Sequence, residues 1–164
     1  PTQIEPFLAA DERLLHDPFL LPDMEKAVAR VYRALLSGEA IAIYGDFDAD
    51  GITATALLVE RLSALGGYVV PYIPHRADEG SGINDAALDR LAKQGINLVV
   101  TVDCGITAIE EVEVAKQLGL DVVITDHHTV PAQIPSAIAV IDAKSAASRY
   151  PLPELAGVGV AYQL

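Results

Sequence analysis

The 164-residue chain has no tryptophan, one methionine and a single cysteine, Cys104. One cysteine excludes an internal disulfide framework and suits a reducing compartment. Cations are scarce too: 11 Lys and Arg stand against 23 Asp and Glu, a formal net charge of -12. That balance excludes the usual basic nucleic-acid module, whose affinity comes from cationic patches and counterion release. No apolar run approaches the roughly 18–20 residues of a membrane span. The N-terminus has no basic-then-apolar signal pattern, and Asp11 and Glu12 sit where such a signal needs cations. The expected location is cytoplasmic, with no membrane partner. What the chain does have is 51% apolar residues against 21% charged. That suffices for one core without staples and argues against general disorder. An acidic chain can still handle phosphates if its carboxylates hold divalent cations, because the ions invert the local field.

Short apolar, β-branched runs alternate with helical patterns. Residues 40–44, 68–73, 98–102, 122–125 and 137–141 read as strands, each bounded by turn or polar residues. Between them, 24–36, 53–65, 85–94 and 109–118 read as helices. Leu57, Leu58, Arg61, Leu62 and Leu65 carry the spacing of a one-sided apolar stripe. Gly38, Gly66, Gly95 and Gly119 stand where left-handed caps belong. The expected fold class is α/β: a doubly wound, mainly parallel five-stranded sheet with helices on both faces, Rossmann-like. Residues 1–38 read as an N-terminal segment and helix packing on the core, and 39–164 as the main domain. The chain begins with Pro1 and ends in the apolar 154–164 stretch without a stop signal. It therefore reads as cut at both ends, its last segment packing against further protein and further domains missing.

Three polar clusters follow three of these strands. Asp46, Asp48 and Asp50 alternate in Gly45-Asp46-Phe47-Asp48-Ala49-Asp50-Gly51, so an extended chain would turn all three carboxylates to one side. Asp103 follows the 98–102 strand, and Asp126-His127-His128 follows the next. Ligands of open α/β sheets bind beyond the carboxyl ends of the strands, so the clusters are expected on one edge. Carboxylates and imidazoles without thiolates favour Mn²⁺ or Mg²⁺. Two such ions about 3.5–4 Å apart are the usual device for phosphate-ester hydrolysis. Asp103 is the natural bridge, because its strand should lie between the other two. Each cluster also has a plain structural reading: Asp-rich loops cap helices and make turns. Cys104 is expected to face the core, and His16 to pack or cap. The Gly-rich loop 74–84 could let backbone approach a phosphate with Arg76 on its oxygens, or simply end in a helix cap at Asn84.

At these clusters the chain resembles the DHH phosphoesterase family, named for triplets of the Asp126-His127-His128 type. Within it the chain is most similar to the single-strand-specific DNA exonucleases. The stretches that carry this are LLHDPFLLPDM from Leu14, GDFDADGITATALL from Gly45, PHRADEGSGIN from Pro74 and LAGVGVAYQL from Leu155. The resemblance implies a two-metal phosphodiesterase releasing nucleotides from the 5′ end of single-stranded DNA, with Mn²⁺ or Mg²⁺, in DNA repair and recombination. It implies Asp46, Asp48, Asp50, Asp103 and His127 as metal ligands and Asp103 as the bridge. Asp103, His127 and His128 would be the catalytic residues, with His128 near the phosphate as a donor to its oxygens or to the leaving group. Asp126 would orient a histidine or support the loop, and Arg76 and Asn84 would contact substrate. Tyr44 departs from the histidine common in the family, and Ser81 and Ile83 replace a usual Tyr and Leu in the 74–84 loop. Asp142-Ala143-Lys144 replaces a usual Asn-Pro-Lys, read as a turn variation. A further metal-binding Asp, a second core domain and a nucleic-acid-binding domain are expected downstream of Leu164. Implied partners are single-stranded DNA, a single-strand-binding protein and a helicase.

Three other readings compete. The same chemistry could serve oligonucleotides, nucleotide phosphates or cyclic dinucleotides. A haloacid-dehalogenase-type phosphatase would use Asp48-Ala49-Asp50 as a nucleophile motif but leaves Asp103 and the histidines unexplained. The chain could also be a non-catalytic nucleic-acid-binding piece, a reading that the intact Asp48, Asp50, Asp103 and His127 disfavour.

Overall fold

Five runs of β-branched and small apolar residues pair in parallel, in the order β2-β1-β3-β4-β5, in a computed structural model that describes Leu8 and residues 15–164. The strands are β1 (Ala40–Gly45), β2 (Tyr68–Tyr72), β3 (Ile96–Val102), β4 (Asp121–Asp126) and β5 (Ala139–Asp142). The helices are α1 (Met24–Ser37), α2 (Ala49–Ala64), α3 (Asp85–Lys93), α4 (Ile109–Gln117) and α5 (Gly157–Gln163). Pro1, Asp11, Glu12 and Leu14, on which some sequence expectations rest, lie outside the described residues. Among the described residues no helix is long and apolar enough to cross a membrane.

Strand alternation sorts the core into two layers. Ile41 and Ile43 of β1 with Leu98, Val100 and Val102 of β3 meet Met24, Ala27 and Val31 of α1, Ala54, Leu58 and Leu62 of α2, and Val160 and Ala161 of α5. Ala42 and Tyr44 with Val99, Val122 and Ile124 meet Leu88 and Leu91 of α3 and Val112 and Ala115 of α4. The sheet is therefore covered on both faces, as expected for a doubly wound fold. The chain leaves β1 toward β2 on one side and returns to β3 on the other, so the order reverses between β1 and β3. That is the point at which open α/β sheets open a crevice.

Three details differ from the sequence reading. Helix α2 begins at Ala49, because the Asp48 side chain accepts hydrogen bonds from the Asp50 and Gly51 N–H groups and caps it. The 46–50 run is therefore a capped helix start and not an extended chain. The α2 stripe runs through Ala54, Leu58 and Leu62, while Leu65, the residue just past the helix, is 70% exposed. Lastly, part of the 154–164 stretch packs on this domain, with Val160 and Ala161 fully buried while Tyr162 stays 58% exposed. The four glycines expected to be left-handed, Gly38, Gly66, Gly95 and Gly119, all have positive φ. His16 packs edge-on against Tyr150, with ring centroids 5.7 Å apart.

At the amino ends of the strands, Arg30 of α1 is 6% exposed. Its Nε donates to Asp121 at the start of β4, and a terminal nitrogen donates to Glu39 just before β1, both at 2.5 Å. Arg30→Ala would strand two carboxylates, so urea denaturation should show a loss of about 3 kcal/mol, the low end for breaking a buried pair because both acids are partly solvated. A loss under about 0.5 kcal/mol, the scale of an ordinary surface substitution, would show that the network is incidental.

Candidate metal centre

The carboxyl ends of β1, β3 and β4 open on a cleft of about 280 Å³, lined by residues that include Asp46, Asp103, Thr107, Asp126 and His128. The β1 turn is tight because it lacks side chains at two points. A Cβ on Gly51 would lie 2.5 Å from the Asp46 backbone nitrogen and oxygen, and one on Gly45 would overlap Thr55. Asp46 accepts the Phe47 N–H at 2.7 Å, and Asp48 caps α2. The Gly51 N–H bond, foremost, holds the Asp48 carboxyl below the usual range. Asp50, in the first turn of α2, spends its oxygens differently: Oδ2 accepts the Gly157 N–H at 2.6 Å and Oδ1 the Val158 N–H at 2.7 Å.

Asp103 sits at the centre, on the strand between the other two. Its φ of 61° is left-handed, an uncommon state for a residue with a side chain and a form of strain that collects at functional sites. The residue is 1% exposed, and no well-aligned hydrogen bond reaches Oδ1. That oxygen lies 2.9 Å from His127 Nε2, which is also 3.6 Å from Asp50 Oδ2. The other ring nitrogen of His127 lies 3.1 Å from the Leu155 carbonyl oxygen. A carbonyl only accepts, so Nδ1 carries the proton and a neutral His127 turns the Nε2 lone pair toward Asp103. Two lone pairs then face each other across 2.9 Å. Only a proton or a cation between them relieves this, and the carbonyl-anchored imidazole is how proteins orient metal-ligating histidines. Burial first, then the charges of Asp50 and Asp48, push the Asp103 pKa up to about 7. The donor set therefore fits a divalent cation.

Asp126 carries the loop. It is 1% exposed, with Oδ2 accepting the Ile106 N–H at 2.8 Å and Oδ1 taking the His127 N–H at 2.7 Å and His128 Nδ1 at 2.7 Å. Burial works against a charged His128, but the hydrogen bond to Asp126 and its charge outweigh this and raise the His128 pKa. Asp103, His127 and His128 each bring a donor atom to within 4.8 Å of the others. Cys104 turns away, buried beside Tyr44, and burial raises its pKa well above the ordinary thiol value.

The remaining predicted residues lie at the margin. Arg76 stacks its guanidinium 4.9 Å from the Phe47 ring centroid. Asn84 caps α3 through Ala87 N–H and donates to the Tyr44 hydroxyl, which itself donates to the Gly82 carbonyl. Tyr44 is thus a buried loop anchor. Three features escape a sequence reading: the left-handed backbone of Asp103, the 155–158 turn against the ligands, and Asp142. Asp142 is fully buried beside Asp126 in the sheet register, with an unpartnered Oδ2. Burial, foremost, raises its pKa to about 6.

Because the Asp103 pKa is raised from 3.8 to about 7, the folded chain holds a proton there that the unfolded chain has lost. The stabilisation is full below the unfolded value and vanishes as pH rises through about 7. The thermal midpoint of the metal-free chain should therefore fall between about pH 5 and 8. Asp103→Asn, tolerant of a left-handed backbone, should remove the upper part of that fall and leave the Asp142 part below about pH 6. A divalent cation should restore the wild-type midpoint at about pH 8 but not that of the variant. Parallel pH profiles for the two chains would refute the assignment.

The sequence profile of the DHH family, N-terminal domain, matches residues 40–164. The single-stranded-DNA-specific exonuclease RecJ of Bacillus subtilis is 44% identical over 158 residues, 96% of this chain and 20% of that protein. A crystal structure of exonuclease RecJ bound to manganese superposes with a TM-score of 0.79 at 38% identity, covering 87% of this chain and 36% of the other. RecJ of Thermus thermophilus in complex with Mn²⁺ gives a TM-score of 0.73 at 35% identity, over 88% of this chain and 20% of the other. This chain thus spans between a fifth and about a third of these relatives. With its parallel sheet, its three converging strand ends and the Asp-His-His triplet among them, the chain belongs to the DHH family.

Proposed function

We propose that the chain is the N-terminal DHH part of a RecJ-like, metal-dependent phosphodiesterase that removes nucleotides from the 5′ end of single-stranded DNA in repair and recombination. The observation that carries the reading is the pair of buried Asp103 Oδ1 and half-buried His127 Nε2 at 2.9 Å, with His127 anchored through its other nitrogen. Relatives 44% identical, bearing that activity in their names, support it. In this reading residues 39–164 are the DHH domain and 1–38 a preceding segment, whose α1 packs on the core.

In this reading Asp46, Asp48, Asp50, Asp103 and His127 would hold two Mn²⁺ or Mg²⁺ ions. The ions supply charge neutralisation at the phosphoryl oxygens and an acidified water. The protein supplies position. Asp126 fixes His128 through Nδ1 and favours its charged form, so His128 can donate to a phosphate oxygen or the leaving group across the cleft it lines. Arg76, braced on Phe47, and Asn84 are the proposed substrate contacts. The net charge of -12 leaves DNA affinity to other parts of the full-length protein. A single buried thiol is consistent with a cytoplasmic setting. A single-strand-binding protein and a helicase are the proposed partners that present the strand.

The test is Mn²⁺-dependent hydrolysis by the full-length protein of 5′- and 3′-labelled single strands, duplexes and dinucleotides. Asp103→Ala and His127→Ala should abolish mononucleotide release from 5′-labelled single strands. Asp126→Ala should cost about 10–100-fold, the scale for losing a residue that supports a metal ligand. Cleavage confined to dinucleotides would move the assignment to the short-oligonucleotide members of the family.

A further inference from the structure

The Leu155–Val158 turn touches three of the proposed ligands at once. Its Leu155 carbonyl lies on His127 Nδ1, and its Gly157 and Val158 N–H groups take both oxygens of Asp50. Gly157 itself leaves no gap beside Asp103: a Cβ there would stand 2.7 Å from Oδ1, 2.8 Å from Cβ and 2.9 Å from Cγ. Gly157 is buried and does not have positive φ, so close approach, not backbone freedom, is what demands glycine here. The ligands come from α2 and from the ends of β3 and β4: the β3–β4 ladder and the Asp103 N–H bond to the Thr125 carbonyl at 3.0 Å already space Asp103 and His127, but no such ladder ties Asp50 to them. The turn does, by holding one oxygen pair, one ring nitrogen and one carboxyl face in a single segment of four residues.

We propose that the Leu155–Val158 turn is the positioning element of the metal centre, with Gly157 as its critical positioning residue, so that cation binding and docking of α5 are coupled. The inference rests on the proposed metal site. Each Asp50 oxygen keeps a lone pair after accepting one N–H, so Asp50 can serve the turn and a cation together. A cation drawing in Asp50, Asp103 and His127 tightens the contacts that hold the turn. A disordered turn, in reverse, leaves those ligands unheld.

The test uses the 164-residue chain and Mn²⁺ alone. Calorimetry should show Gly157→Ala binding Mn²⁺ about 10–100-fold more weakly than wild type. Gly159→Ala, on the same helix, would put its Cβ no closer than 3.3 Å to Leu155 and should bind as wild type does. Amide hydrogen exchange of wild type gives a readout that does not need the variant to fold: saturating Mn²⁺ should slow exchange at Val158, Val160 and Ala161 at least tenfold. Exchange there unchanged by bound Mn²⁺, or a folded Gly157→Ala chain with wild-type affinity, overturns the inference. No Mn²⁺ binding by wild type, in this chain and in the full-length protein alike, would instead overturn the metal-site reading on which it rests.

Discussion

Carboxylates gathered at one end of a parallel sheet repel each other, and the rest of the structure answers that repulsion. Asp46, Asp48, Asp50, Asp103 and Asp126 all lie at the carboxyl ends of β1, β3 and β4. Asp46, Asp48, Asp50 and Asp126 are met by backbone N–H groups, Asp126 by those of His127 and of Ile106 on the neighbouring loop, whereas Asp103 is left to a raised pKa of about 7. The group with no well-aligned donor is the one at the centre, facing a histidine lone pair. Where a buried acid is deliberately left unanswered, a proton or a cation completes the site.

The same logic divides the molecule into two ends. At the amino ends of the strands, buried Arg30 pairs with the partly solvated Glu39 and Asp121, and Arg33 approaches Asp121 at 3.4 Å. At the carboxyl ends, among the described residues, no Lys or Arg pairs with Asp46, Asp48, Asp50 or Asp103. The strained backbone of Asp103 belongs to this asymmetry. A left-handed residue at the end of a strand costs about 1–3 kcal/mol, and here it aims the carboxyl into the crevice between β1 and β4. The sheet can hold that strain because β3 is central and its side chains are buried on both faces.

Support from outside the cleft completes the picture. Tyr44 stacks on Tyr72 at 4.9 Å and ties the Gly82 carbonyl and Asn84 to the sheet, while Glu79 holds Tyr72 and the His75 N–H. The 74–84 loop is thus braced from beneath on one side of the cleft, as the 155–158 turn is on the other. A site between two braced segments keeps its geometry even though each is irregular backbone.

The sequence alone determined the layered α/β fold, because alternation of apolar residues with period two against three-to-four reads locally. It also determined which acids and imidazoles share an edge, since parallel strands place every strand-following cluster on one side. Local pattern misplaced the start of α2, where the Asp48 cap competes with an extended run, and put Leu65 in a stripe it does not join. In the 154–164 stretch local pattern did not show which residues turn inward, Val160 and Ala161, and which stay exposed, Tyr162, because that depends on what stands opposite. Only the tertiary structure decided that Asp103 is left-handed, that Asp142 is buried beside Asp126, and that Gly157 abuts Asp103. The last two are contacts between residues 16 and 54 positions apart, and spacing along a chain carries no trace of which backbone will come close enough to exclude a single carbon.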